Sequence, residues 1–309
     1  MVKCCNEPFP MIELKVYDRS TFTEEEWNHW QVQSESNGVN TALWLLDMVA
    51  PNFKIIADQK RQFVLPFYEK KKYFIKYAIQ PKYLQQFVAI GLKSNDLDLY
   101  SQAWKMINSN YRFVAIQLPV RHLIGQVRSN YILNLKPDYE LQLAGYNENT
   151  KRNIKKAITS NTSIIESANV QEAIEIFNAT KGVKINKKDV NGDALLHKIL
   201  QKATHHGALN AYTAFNSQGV LAYAFFINHR NESLFLFSAT KVRNTGALAC
   251  IIDHHIRKIA GKMQTLNFEG SDFPPLAKFY QGFGALLQPY SLLRSNRLGW
   301  PMKLFVPKV

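Results

Sequence analysis

The chain has 309 residues, 46% of them hydrophobic and 12% aromatic, so it can bury a sizeable core, and two domains are expected. Lys and Arg exceed Asp and Glu by 14, but only 20% of the residues are charged, which excludes a disordered polycation. Residues 1–142 carry a formal charge of +3 and residues 143–309 carry +11. We therefore expect the second half to attract phosphate-bearing partners.

The cysteines and the N-terminus indicate a reducing compartment. Cys4 and Cys5 are adjacent and Cys250 is remote, which forms neither a disulfide framework nor a zinc-ligand spacing. No apolar stretch typical of a signal peptide follows Met1, and the longest apolar run, 220–227, is far shorter than the about 20 residues that a membrane span needs. A cytoplasmic protein without a membrane span is the expectation.

The first half alternates strand-like and helix-like segments. Thr23 and Glu26 form a capping box that predicts the start of a helix, and a second helix is expected over 41–50, before Pro51. Hydrophobic patterning predicts further elements, namely strands over 53–57, 62–67 and 74–79, a helix around 101–107 and a strand over 112–117. This alternation predicts an α/β or α+β layer structure.

Residues 147–159 predict an amphipathic helix at the boundary between the halves. Ile154, Ala157 and Ile158 form an apolar stripe, and Asn147 is one of the residues that can cap the helix. Four cations occupy the other side: Lys151, Arg152, Lys155 and Lys156. They are candidates for binding an anionic substrate, and an ordinary solvated helix face is the alternative.

The second half follows a specific order of elements. A strand over 163–166 and helices over 170–180 and 193–206 come first. Strands over 209–215, 220–227 and 233–240, joined by tight turns, predict an antiparallel meander. After the turn 241–247, the pattern predicts a helix ending at Gly261, a strand over 265–268, a helix over 274–280 and a strand over 290–294.

Three segments of the second half resemble motifs of one superfamily. They are the basic helix at 146–157 (YNENTKRNIKKA), the strand end at 267–271 (NFEGS) and the segment at 277–284 (AKFYQGFG). The YAIQP stretch at 77–81 resembles the end of the first domain in the same proteins. With the order of elements, these segments make the chain resemble the FemABX type of tandem GNAT acyltransferases, whose members include peptidoglycan aminoacyltransferases.

The resemblance implies an α/β (α+β) fold of two tandem GNAT-like domains, each a mixed, mostly antiparallel sheet flanked by helices. We expect the first domain over 1–140, completed by residues 297–309, and the second over 141–296. The implied function is transfer of an acyl group from acyl-CoA or aminoacyl-tRNA to an amine acceptor, such as a small molecule or a peptidoglycan precursor. The donor is a substrate, and no tightly bound cofactor is expected. The alternative is a non-catalytic protein that uses the same scaffold to bind RNA or another polyanion.

The turn before the helix near 248 is the candidate donor site. Free N–H groups and the positive end of the helix dipole can receive a pyrophosphate. The turn comprises Arg243, Asn244, Thr245, Gly246 and Ala247. The glycine would allow close backbone approach and the arginine would add positive charge. The alternative is an ordinary helix cap made by Asn244 or Thr245.

Glu269, Asp272 and Tyr280 are the candidate catalytic residues. Either carboxylate, at the end of a strand, could accept a proton from the attacking ammonium, although Asp272 could instead cap the helix that begins near Pro274. Tyr280 could protonate the leaving group, or its ring could simply pack against neighbouring phenylalanines. We expect no metal, because the adjacent pairs His205–His206 and His254–His255 point apart on a helix.

Overall fold

A computed structural model describes residues 12–35, 37–72, 74–121, 125–180, 190–270 and 272–300. These residues form helices α1 (Glu24–Val32), α2 (Leu43–Val49), α3 (Leu97–Asn110), α4 (Tyr139–Gly145), α5 (Glu148–Thr159), α6 (Val170–Thr180), α7 (Val190–His205), α8 (Ala247–Ile259) and α9 (Pro274–Gln281). Cysteines 4 and 5 and Ser271 of the strand-end motif lie outside the described residues.

The strands are β1 (Leu14–Asp18), β2 (Lys54–Asp58), β3 (Val64–Phe67), β4 (Glu69–Lys72), β5 (Ile75–Ile79), β6 (Phe113–Leu118), β7 (Gln126–Arg128), β8 (Tyr131–Asn134), β9 (Ser163–Ile165), β10 (Leu209–Asn216), β11 (Gly219–His229), β12 (Glu232–Thr240), β13 (Thr265–Asn267), β14 (Leu286–Leu287) and β15 (Tyr290–Asn296). The mixture of helices and sheets confirms the predicted α/β class. Strands β1, β4, β7, β8 and β14 were not predicted.

Local signals in the sequence set several helix ends. Thr23 accepts a hydrogen bond from the Glu26 backbone, and the Glu26 side chain accepts one from the Thr23 backbone, which confirms the capping box of α1. Asn147 caps α5 by accepting from Thr150 N. The predicted helix over 41–50 is shorter than expected, because a 3₁₀ turn at Val39–Thr41 precedes α2.

Strands of the first half build two sheets. One is antiparallel, with the order β1-β2-β3, and the other has the order β4-β5-β6-β15-β7. In the second of these, β5 and β6 are parallel and the remaining pairs are antiparallel. The last described strand of the chain, β15, therefore lies between two strands of the first half.

The second half builds a seven-stranded sheet of order β14-β8-β13-β12-β11-β10-β9. The predicted meander is confirmed, since β10, β11 and β12 pair antiparallel in sequence order. Strands β12 and β13 are parallel, but they pair only over Glu232–Leu234 and Thr265–Asn267. Beyond Leu234 the longer β12 continues without β13, which opens the sheet between them.

The sheets cross the predicted domain boundary at residue 140. Strand β8 precedes the boundary but pairs with β13 in the seven-stranded sheet. Strand β15, predicted in the second domain, pairs with β6 and β7 of the first half. Leu298 packs against Tyr77 and Phe113 of the first half, and residues 301–309 lie outside the described residues. The division into domains at 140 and 296 stays a prediction.

The two halves share buried surface. The largest hydrophobic cluster joins first-half side chains with Ile199 of α7 and Leu234 of β12, and a second cluster fills the space between the seven-stranded sheet, α8 and α9. In the part of the chain that the structure describes, no helix combines the length and apolar character required to cross a bilayer.

Candidate functional site

A cavity of about 250 Å³ lies between the halves. First-half residues near the turn Val39–Thr41 form one wall, and the starts of β12 and β13 form the other. Carboxamides dominate its lining: Asn37, Asn40, Gln86, Asn130, Asn231, Gln264, Asn267 and Gln288. Glu35 and Glu232 add two carboxylates, and no Lys, Arg or His is among the described lining residues. The cavity therefore suits a neutral or cationic ligand that makes many hydrogen bonds.

Glu232 joins the halves at the cavity wall. One of its carboxylate oxygens accepts a hydrogen bond from Val39 N at 2.7 Å, and the other accepts from Asn267 Nδ2 at 3.2 Å. Burial raises the pKa of its carboxyl, although these two hydrogen bonds lower it in part. The sequence offered no signal for this residue, because a carboxylate beside a tight turn resembles any solvated turn residue.

Glu269 carries the clearest marks of a functional carboxylate. Its backbone has φ of 59°, in the left-handed region that a non-glycine residue seldom adopts, and its Oε1 is buried with no hydrogen-bond partner. Burial, followed by repulsion from Glu232, raises its pKa to about 7. Asn267 links the two acids, since its Oδ1 accepts from Glu269 N at 2.9 Å.

Tyr280 lies in an aromatic cluster below Glu269. Its ring stacks on Phe268 with a centroid distance of 4.8 Å and contacts Phe279 at 6.0 Å. Burial and the charge of Glu269 raise the pKa of its hydroxyl, which therefore stays protonated. A chain of ring contacts thus runs from Phe279 through Tyr280 to Phe268, the residue before Glu269.

Asp272 has a different environment from the one that either sequence interpretation expected. It forms an ion pair with Arg128 and accepts a hydrogen bond from Ser129 N at 3.1 Å. Although burial raises the pKa of its carboxyl, those hydrogen bonds lower it more, so Asp272 stays ionised. Phe273, not Asp272, precedes α9 as the N-cap, and it makes no side-chain capping bond. Asp272 fixes the loop after β13 to β7.

The predicted donor turn begins α8 beside a cavity of about 290 Å³. Asn244 and Gly246 both have positive φ, and Gly246, the N-cap of α8, has no side chain that could cap the helix. Thr245 Oγ1 accepts a hydrogen bond from Ala247 N at 3.3 Å, which supports part of the capping alternative. Arg243 is exposed, whereas Ala247 is buried. Phe279 and Leu276 of α9 complete the wall.

Helix α5 packs against this turn. A Cβ atom on Gly246 would overlap the backbone oxygen of Asn153, so the glycine allows α5 to approach α8 closely. At the start of α5, Asn147 N donates to the Gly282 oxygen at 2.9 Å, just beyond α9. The basic helix therefore lines this cavity through Asn153, together with α8 and α9, whereas the cavity between the halves has no cation in its described lining.

The four cations of α5 differ in their surroundings. Lys151 pairs with Glu148 at 3.4 Å, and Arg152 donates to Asn149 Oδ1 at 2.8 Å. Lys155 and Lys156 are exposed. With about 100° between successive helix residues, Arg152 and Lys156 lie nearer than Lys151 and Lys155 to the edge of α5 that faces Gly246.

The buried histidine of α8 belongs to a polar cluster. His255 of α8 is buried against the same face of the seven-stranded sheet as the Tyr280 cluster, to which Phe226 and Phe235 connect it. Tyr212 Oη lies 3.0 Å from its Nδ1 and Ser233 Oγ lies 2.8 Å from its Nε2. Burial lowers its pKa to about 3. Across the described residues, no three His, Cys, Asp or Glu side chains are grouped as metal ligands.

No family model matches the sequence, and no curated protein sequence matches it. Solved structures do match. The crystal structure of FemX superposes with a TM-score of 0.62 at 11% identity, covering 96% of this chain and 100% of that one. The chain has a FemX-like tandem GNAT fold. L-PGS from Bacillus licheniformis gives a TM-score of 0.50 at 10% identity over 92% of this chain and 95% of its own. A tandem GNAT protein from the clavulanic acid biosynthesis pathway gives a TM-score of 0.51 at 9% identity, covering 91% of this chain and 98% of its own.

In this FemX-like fold, the structure brings some of the predicted site residues together and separates others. Glu269 and Tyr280 are neighbours beside the opening between β12 and β13, and the donor turn lies at the other end of the aromatic chain. Asp272 is paired elsewhere, and the basic helix lies at the donor turn. The catalytic and binding roles of all these residues stay predictions.

Proposed function

We propose that this protein is an acyl- or aminoacyltransferase that forms an amide on an amine acceptor. The fold it shares with FemX and a tandem GNAT protein supports this class. The observation that carries the proposal is Glu269, a strained carboxylate with a buried, unpartnered oxygen and a pKa of about 7, next to the opening in the sheet.

The acceptor is an amine that enters the cavity between the halves as an ammonium. Glu35 and Glu232 supply negative charge there, and the carboxamides supply donors and acceptors for neutral polar groups. An amino sugar or a short peptide has this chemistry. A phosphate on a larger acceptor would have to lie outside this cavity, because its described lining holds no cation.

The donor is polyanionic and binds at the turn before α8, with the nearby basic helix as an added source of attraction. The α8 N-terminus offers backbone N–H groups, Arg243 is exposed, and Arg152 and Lys156 lie on the neighbouring side of α5. Both acyl-CoA and aminoacyl-tRNA fit this description. We therefore propose the donor as the anionic substrate that the cations of α5 attract.

In the proposed reaction Glu269 takes a proton from the acceptor ammonium, directly or through water, because a carboxylate of pKa near 7 can exchange protons at neutral pH. The free amine attacks the donor carbonyl and the new C–N bond forms. The nitrogen then releases its second proton to solvent as the thioester or ester bond breaks. Tyr280, which stays protonated, gives its proton to the leaving sulfur or oxygen. Solvent then returns the proton from Glu269 to Tyr280. The remaining catalysis comes from holding donor and acceptor together.

A thermal-shift panel tests the donor. A donor present at a hundred times its dissociation constant should stabilise the protein by about 2.7 kcal/mol, which is a clear rise in melting temperature. Arg243→Ala should reduce the rise, and Lys70→Ala, remote from the turn in the sequence, is the matched control. If none of the acyl-CoAs raises the melting temperature, CoA is rejected as the donor. Filter binding would then test aminoacyl-tRNA.

Product formation tests the reaction itself. Mass spectrometry of an incubation with the bound donor and a panel of amino sugars and dipeptides should detect an added acyl group. Strong, salt-dependent RNA binding without transfer from acyl-CoA or aminoacyl-tRNA would instead support the non-catalytic polyanion-binding protein.

A further inference from the structure

The hairpin formed by β4 and β5 ends in an exposed aromatic ring. Strand β4 is the outer strand of its five-stranded sheet, and Phe74 lies between the two strands. Its side chain is 96% exposed, the largest fraction among the large hydrophobic side chains that the structure describes. Full hydration of a phenylalanine is unfavourable, so this ring is a candidate for contact with an apolar partner.

Lysines surround that ring on both strands. Lys70, Lys71 and Lys72 follow one another on β4, and Lys76 lies on β5, all of them exposed. Lys71 and Lys76 face each other directly in the antiparallel register, an arrangement of like charges that weakens the hairpin. Glu69, 3.6 Å from Lys76, offsets one of these two charges. An anionic partner would offset the charge of Lys71.

A second exposed aromatic side chain follows β15, a strand of the same sheet, by four residues. Ile75, the first residue of β5, packs in a small cluster with Leu298. Two residues later, Trp300 is 83% exposed. Tryptophan and phenylalanine with flanking lysines are typical of surfaces that enter the boundary between lipid headgroups and acyl chains.

We propose that this hairpin binds the surface of an anionic lipid bilayer, with Phe74 inserted at the headgroup boundary and the lysines on the headgroups. The position of Phe74 favours a bilayer over a polynucleotide. Aromatic residues that stack on bases lie on a sheet face among the cations, whereas Phe74 lies beyond the last paired residues, Lys72 and Ile75. The proposal does not depend on the proposed transferase function.

Vesicle sedimentation tests the surface with the full-length protein. Vesicles of phosphatidylglycerol should bind it, vesicles of phosphatidylcholine should not, and added salt should weaken binding. Each lysine near anionic headgroups contributes about fivefold to the partition coefficient, so K70E/K71E should lower binding by at least about 25-fold. Phe74→Ser should lower it by about tenfold. All of these side chains are exposed, so both variants should stay folded. The melting temperature of Phe74→Ser should be unchanged, and that of K70E/K71E should not fall, because the repulsion between Lys71 and Lys76 is removed.

The matched control reverses two exposed lysines on another surface. K155E/K156E changes the net charge by the same amount on α5 and should keep most of the vesicle binding. An equal loss of vesicle binding in this control would show general electrostatic attraction and overturn the proposal. Full binding by Phe74→Ser would also overturn it, because the ring would then not enter the bilayer. Binding to RNA but not to phosphatidylglycerol vesicles, lost in K70E/K71E, would assign the hairpin to nucleic acid instead.

Discussion

The two faces of the seven-stranded sheet hold buried polar groups of opposite kinds. Ser233 and Glu232 are neighbours on β12 and point to opposite faces. On the face toward α8, Ser233 and Tyr212 occupy both ring nitrogens of His255. On the face toward the first half, Glu269 keeps a buried oxygen without a partner and a left-handed backbone. A saturated polar cluster indicates a structural role, whereas an unsaturated and strained one indicates chemistry.

The largest expected effect is on the unsaturated face. Glu269→Gln should lower kcat/KM by about 10²-fold or more, because the amide cannot take the proton from the acceptor. The rise of kcat/KM with pH near pH 7 should disappear in the variant. Steady-state kinetics from pH 5.5 to about 8.5 with a fixed donor measures both effects. A native pH profile in the variant would contradict the role of this carboxylate.

Stability gives an independent readout of the same substitution. A folded-state pKa near 7, raised above the ordinary value of 4.5, means that the native state holds the extra proton, so stability falls as pH rises between these values. Glu269→Gln removes this loss, and its advantage in free energy of unfolding should grow to at most about 3 kcal/mol near pH 7. Denaturant unfolding of both proteins at several pH values measures the difference.

On the saturated face we expect a change in stability and none in chemistry. His255→Ala leaves the Ser233 and Tyr212 hydroxyls without their partner and removes a ring stacked on Phe226, at a cost of about 3–5 kcal/mol. Activity per folded molecule should be retained. Loss of kcat in a folded variant would break the distinction between the two faces.

The stability that the His255 cluster contributes depends on pH with the sign opposite to that of Glu269. Burial lowers the His255 pKa from 6.5 to about 3, so its contribution to stability is complete above pH 6.5 and is lost as pH falls through that range. The His255→Ala variant should lack this part of the loss of stability at acid pH. Urea unfolding between pH 4 and about pH 7 measures it, and identical slopes for the two proteins would contradict the buried neutral imidazole.

Gly246→Ala should have a smaller effect, centred on the donor turn. The added methyl would overlap Asn153 O at a residue with φ of 77°, so α5 must move away from α8 at a cost of about 1–3 kcal/mol. Donor affinity should fall while kcat at saturating donor is kept. Gly207→Ala, also at positive φ but with open space around it, is the matched control, and an equal loss of affinity there would reject the packing argument.

The smallest effect is expected for the electrostatic coupling between Glu232 and Glu269. Glu232→Gln removes the charge that helps to raise the Glu269 pKa, so the acid limb of kcat/KM should move to lower pH. The amide oxygen of the introduced glutamine can still accept the Val39 hydrogen bond, which limits the loss of stability. An unmoved acid limb would show that burial alone sets the Glu269 pKa.

The sequence by itself determined the elements that depend on near neighbours. The capping box at Thr23, the cap at Asn147, the three-stranded meander and the turn before α8 all follow from residues a few positions apart. Turn chemistry and hydrophobic period are local properties, so these predictions did not need the tertiary structure. Glu269 and Tyr280 were both named from the sequence as candidate catalytic residues, and their roles stay predictions.

Only the tertiary structure decided which distant groups meet. The insertion of β15 beside β6, the pairing of Asp272 with Arg128, and the contact of Glu232 with Val39 join residues more than a hundred positions apart. The burial and repulsion that raise the Glu269 pKa arise from the same long-range packing. The basic charge of the second half illustrates the difference, because composition predicted an anionic partner, whereas only the packing of α5 against Gly246 showed that the basic helix lies beside the predicted donor turn.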